Sequence, residues 1–156
     1  MHVRVGDVTL PTPAPPTDDI ATSFRSALLT AYLEDGVSLD ELRMNDPSWE
    51  LMLPLLQRQD AFANLVEEHP LSYGVINGSE VPYRYVNVYN VTKECEVVLA
   101  SDGYLSPDGT LADAEANLHK VLRLDPLLIS LHKSFRPAPS NGSFDDRAWV
   151  RFLTSS

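Results

Sequence analysis

The sequence predicts an α+β fold, and three observations carry that expectation. Apolar residues alternate with polar ones in the opening "HVRVGDVTL", recur at helical spacing through residues 20–69, and return to β-favouring runs after residue 72. One more helical stretch and a closing strand complete the order strand, helices, strands, helix, strand, with no internal repeat.

Taken in order, Val3 and Val5 flank Arg4 before Gly6 interrupts the pattern, which describes a strand bending at Gly6-Asp7. Residues 11–19, "PTPAPPTDD", fit neither helix nor central strand and read as a proline-rich surface loop, with a proline-rich ligand for a partner domain as its functional counterpart. From Asp18 onward, Ile20, Phe24, Ala27, Leu28 and Ala31 share one helical face, and Gly36 is the stop. Ser38 and Glu41 form a capping-box pattern for a short helix. Asp46-Pro47 supplies an N-cap and a first-turn proline for a longer one through "SWELMLPLLQRQDAFANLVEEH", kinked or divided at Pro54. Residues 20–69 thus read as a helical segment.

Residues 72–153 read as strands with inserted helices. "SYGVING" and "VPYRYVNVYNV", separated by Asn77-Gly78-Ser79-Glu80, predict a hairpin. Val97, Val98 and Leu99 form an apolar run, which suggests a strand buried on both faces with Asp102 beyond its carboxyl end. Leu111, Ala114, Leu118, Val121 and Leu122 have helical spacing; Asp125-Pro126 ends that helix and opens a short one through "LLISLHK". Ala148, Val150 and Phe152 alternate with Trp149, Arg151 and Leu153 in a final strand, and Trp49 and Trp149 read as packing residues.

The 156 residues suffice for a single domain spanning 1–156. A net charge of −10, from 22 acidic and 12 basic residues without a basic patch, argues against nucleic acid and anionic membranes as partners. It is compatible with divalent cations and equally with charge for solubility. A lone cysteine, Cys95, excludes an internal disulfide and fits a reducing, cytoplasmic setting. No apolar run reaches signal-peptide or membrane-spanning length. The sequons at Asn77, Asn90 and Asn141 read as turn chemistry, and His2, His69, His119 and His132 lack zinc-site spacing.

Three acidic positions share a setting: Asp7 beside Gly6, Asp102 beside Gly103, and Asp145-Asp146 shortly after Gly142. Each is also an ordinary turn residue. Were the turns to converge, each carboxylate pair 4 Å apart would cost roughly 1 kcal/mol in water and about 4 kcal/mol at an effective dielectric of 20. A hard cation such as Mg²⁺ or Mn²⁺ relieves such repulsion.

"VGD", "LASDGYLSP", "DPLLIS" and "SFDDRAWVRF" occur in this order, with "PLLQRQDAFAN" and "GVINGSEVP" between the first two. Together they resemble the second, carboxyl-terminal half of the 2C-type metal-dependent serine/threonine protein phosphatases, especially divergent members with an "SDG" turn and a closing "DD" turn. The resemblance covers nearly the whole chain. It implies a partial α-β-β-α sandwich with mostly antiparallel strands, the amino-terminal part of the domain missing. It also implies a Mg²⁺ or Mn²⁺ pair whose bridging water attacks a phosphoserine or phosphothreonine phosphorus without a covalent intermediate. Carried over by position, Asp102 and Asp145 resemble metal ligands, and Asp7 resembles the acid near a weaker additional metal. Gly103 and Asp146 stand beside the ligands, Asp146 as a turn residue or as support behind the metal.

The family's phosphate-holding arginine, its early acidic motif and the "DG" pair that bridges both metals have no counterpart here. Arg4, Arg84 and Arg136 lie outside the phosphate-binding context. The resemblance therefore implies a phosphatase-like protein, inactive or weakly active alone, with weak or vestigial Mg²⁺ or Mn²⁺ binding. The alternative is a non-catalytic protein-interaction module on the same scaffold. Loss of the early strands would leave apolar edges such as "VVLAS" unpaired, so a homodimer, or a protein partner that completes the sheet, is expected.

Overall fold

The computed structural model describes residues 1–91, 94–136 and 145–155. The fold is α+β and falls into two compact units. One comprises Met1–Pro13, Asn90–His132 and Arg136–Ser156; the other comprises Ala14–Tyr89 and Lys133–Phe135. Among the described residues, no helix is long and apolar enough to cross a membrane.

The first unit carries a four-stranded antiparallel sheet in the order β2-β1-β3-β4. β1 (His2–Val5) and β2 (Val8–Leu10) form a hairpin where one bent strand is expected, because Val5 pairs with Val8 across the two-residue turn Gly6-Asp7. β3 (Glu96–Ala100) lies between β1 and β4 (Trp149–Leu153). Its consecutive residues Val97 and Val98 point to opposite faces and are 7% and 0% exposed, as a strand buried on both sides requires. The expectation of an unpaired "VVLAS" edge is thereby corrected: β3 is interior, and the edges are β2 and β4. β2 is only three residues long and runs into the prolines at 11 and 13, whereas β4 has five residues and no proline.

Register sorts the side chains. Val3, Val5, Val8, Leu10, Val97, Leu99, Val150 and Phe152 share one face, all apolar. The other face has Val98 between Arg4 and Arg151, whose guanidinium groups both pair with Glu96; Arg4 Nη2 is 2.6 Å from Glu96 Oε1. On that same face Ala100 and Trp149 pack with Tyr104 and with Ala114 of α4 (Leu111–Leu124). Thr110 and Asp113 close a capping box at the start of α4, and Leu118 packs on Leu128.

The helix expected in "LLISLHK" is absent. Asp125, only 4% exposed, accepts the backbone N–H groups of Ile129, Ser130, Leu131 and His132, and Leu128 adopts φ +53°. A carboxylate that gathers four donors replaces the i−4 carbonyls a helix would use.

In the second unit, α1 (Pro16–Glu34) begins inside the stretch 11–19 expected to be loop, since proline at a first helical position lacks only an N–H that would go unused. It ends at Gly36, φ +90°, where Gly36 N–H donates to Leu33 O and Val37 N–H to Tyr32 O, a Schellman closure. The face of α1 is reversed from the sequence expectation. Thr17, Ala21, Arg25, Ser26 and Leu29 are buried, while Ile20, Phe24, Ala27 and Ala31 are exposed and Leu28, the fifth residue of the expected stripe, is half-buried. The cause is Arg25, 1% exposed, which donates to Asp46 Oδ2 at 2.8 Å and to the Ser134 carbonyl at 2.9 Å. A guanidinium buried with its acid turns the helix around it.

α2 (Leu39–Met44) is capped by Ser38, whose hydroxyl accepts the Glu41 N–H. α3 (Ser48–Leu56) starts after Asp46-Pro47, with Asp46 Oδ1 accepting the Ser48 N–H at 2.9 Å. The helix ends two residues beyond Pro54 and is followed by a 3₁₀ turn, Gln59–Phe62, so the helical reading through residue 69 is too long.

The predicted hairpin after residue 72 is also corrected: an isolated bridge, Ala63 with Tyr73, and a 3₁₀ turn, Tyr83–Tyr85, stand in its place. Asn64 and Arg84 take the backbone groups a hairpin would pair. Asn64 presents its amide to both the N–H and the carbonyl of Val75, and Arg84 donates to the carbonyls of Leu65, Val66 and Glu67. Asn77 Oδ1 accepts the Ser79 N–H, the turn chemistry expected there. The other two sequons include residues outside those described, as does Gly142.

Candidate functional site

The "SDG" turn follows β3 and the "DD" turn precedes β4, and because these strands are antiparallel neighbours the two turns meet at one end of the sheet. Ser101 joins them. Its N–H donates to the Ala148 carbonyl, its hydroxyl donates to the Asp146 carbonyl at 2.9 Å, and the Ala148 N–H donates to that hydroxyl oxygen at 2.9 Å.

Gly103 completes the closure. A Cβ there would sit 2.4 Å from the Asp146 carbonyl oxygen and 2.8 Å from Arg147 Cγ. Backbone cannot give way as a side-chain tip can, so Gly103→Ala is expected to cost about 1–3 kcal/mol of stability. Urea unfolding compared with wild type checks this; an unchanged midpoint would show that the turns do not need this approach.

Asp102 is exposed at the tip of its turn. Asp145 is more enclosed: Oδ1 accepts from Arg136 Nη1 at 2.8 Å and from the Asp146 N–H at 2.8 Å. Arg136 thus neutralises an expected ligand, a role its position in the sequence does not suggest. Asp146 is exposed and contributes its carbonyl to the juncture. Asp7 is not part of the group. Gly6 N–H donates to the Glu96 carbonyl at the start of β3, so Asp7 lies at the other end of that strand, about 17 Å from the Asp102 turn by strand rise.

His2 lies close to the juncture, and His132 is near enough to His2 to feel its charge. His2 Nε2 is 2.8 Å from the Tyr104 carbonyl oxygen. Burial first, and the nearby amino terminus second, hold its imidazole below the usual range; burial and then the charge of His2 do the same for His132. Tyr104 donates its hydroxyl to Glu115 at 2.8 Å, and burial followed by that carboxylate pushes its phenol up. Glu115 also pairs with Arg147. None of these partners stands out from the sequence, where their separation is large and no spacing links them.

For a divalent cation the expected ligands in the adjoining turns are Asp102 and Asp145, the second already tied to a guanidinium. Among the described residues, no group of three or more His, Cys, Asp or Glu side chains is arranged to hold a metal ion. Hard cations take about six oxygen ligands, so these two do not make a complete catalytic centre. In comparisons with known proteins, the chain matches no family model, no curated protein and no solved structure.

Proposed function

We propose that this chain is a divergent 2C-type phosphatase-like module that binds Mg²⁺ or Mn²⁺ weakly through Asp102 and Asp145 and does not hydrolyse phosphomonoesters on its own. The observation that supports this reading is the juncture of the two turns, in which Ser101 and the Asp146 carbonyl bring the Asp102 and Asp145 turns, though not Asp7, to one end of the sheet. The remaining ligands and a phosphate-holding arginine would have to come from a second polypeptide or from further sequence, consistent with the expected partner.

Calorimetric titration with Mn²⁺ tests the reading. Wild type is expected to bind with a dissociation constant of about 0.1–1 mM, the range of sites with few carboxylates, and the Asp102→Ala, Asp145→Ala variant to show no binding heat. Equal heats in both would remove the metal proposal.

The second reading, a non-catalytic interaction module on the same scaffold, is favoured by the Arg136–Asp145 pair, which satisfies the carboxylate without a metal. A folded wild type with no Mn²⁺ heat would favour it, since both readings expect no p-nitrophenyl phosphate hydrolysis by the chain alone.

A further inference from the structure

We infer that the outward face of α1 is a docking site for a basic amphipathic helix of another protein. The inference rests on the second unit alone and is independent of the metal reading.

A surface helix ordinarily turns its apolar stripe inward. Here the stripe faces out. Ile20, Phe24, Ala27 and Ala31 follow one another at i, i+4, i+7 and i+11, fall within about 60° of arc, and run about 16 Å along the helix. Ile20 is 47% exposed and Phe24 43%. Two large side chains followed by two small ones leave a ridge and a shallow seat, the surface against which the ridge of a second helix packs.

Charge selects the occupant. The exposed arc of α1 also carries Asp19 and Glu34, with Asp35 just beyond, and the only cation in the helix is the buried Arg25. The whole chain has a net charge of −10. A second copy would bring the same charge to the same face. An amphipathic helix with an apolar ridge flanked by Lys or Arg meets the stripe with its ridge and the acids with its flanks.

The probe is a fluorescein-labelled peptide of about 18 residues, five helical turns, with a Leu/Ala ridge flanked by lysines, beside a twin flanked by glutamates. Anisotropy with the full chain is expected to show the lysine peptide binding at least tenfold more tightly than its twin and weakening as salt rises from about 50 to about 300 mM. Ile20→Glu with Phe24→Glu should weaken the lysine peptide at least about tenfold while the circular dichroism spectrum and melting transition hold. Should that variant misfold, Ala27→Lys places a repelling charge on an exposed alanine and is expected to weaken binding in the same direction. No binding of either peptide, or equal binding of the lysine peptide to wild type and variants, would overturn the inference. So would light scattering that shows a dimer dissolved by the Ile20→Glu, Phe24→Glu changes, because the face would then be covered by another copy of this chain.

Discussion

Asp46→Ala is expected to lower unfolding stability by about 3–5 kcal/mol, the cost of leaving a buried charge without its partner. Arg25 and Asp46 have side chains only 1% and 8% exposed, and the Arg25 Nε to Asp46 Oδ2 distance is 2.8 Å. The same carboxylate also anchors the start of α3 through Ser48, so the alanine removes an ion-pair partner and a cap together. Asp46→Asn keeps an acceptor for the Ser48 N–H and should lose less. Arg25→Met combined with Asp46→Leu should lie closer to wild type than either single change, because neither charge is then stranded. Urea unfolding followed by circular dichroism reads all five variants. An Asp46→Ala loss under about 1 kcal/mol would mean that water reaches the Arg25 guanidinium and that the polarity of α1 has another cause.

Asp125→Ala should be comparably severe, about 3–5 kcal/mol, since it strips the acceptor from several N–H groups packed beside Leu128. Burial raises the Asp125 carboxyl, but the N–H groups of Ser130, Ile129, Leu131 and His132 outweigh that and hold it below the usual carboxylate range. With the folded value depressed, the stabilisation is fully present above the unfolded carboxyl range. It is lost as pH falls below that range and through the folded value. The gap between wild type and Asp125→Ala in unfolding free energy should therefore be constant from neutral pH down to about 5 and narrow below about 4. A gap that stays constant in acid would mean that the four donors do not favour the ionised form.

Local pattern and chain punctuation were legible where short-range physics decides. The runs that become β1, β3 and β4, the α4 stripe ending at Asp125, the Gly36 stop and the Asp46-Pro47 start all appear where the sequence suggests. The face of α1 was not legible, because its orientation depends on Arg25 meeting Asp46 across 21 positions, and apolar periodicity assigns a guanidinium to solvent. "LLISLHK" has helical composition, yet the Asp125 carboxylate takes its N–H groups in place of the i−4 carbonyls. Of the candidate site, the meeting of the Asp102 and Asp145 turns depended on pairing β3 with β4, which the strand pattern allowed but did not specify. Arg136 as the cation on Asp145, and Asp7 at the far end of β3, required the register itself.

The order of strands in the sheet has a kinetic consequence. β3 pairs with β1 across roughly ninety intervening residues and with β4 across about fifty, so the central ladder closes only after long loops have been ordered. The intervening Ala14–Tyr89 is nearly all of the second compact unit. On a ribosome that unit emerges while the β1-β2 hairpin still lacks its interior neighbour. Completion of the sheet is then a late, non-local event in folding.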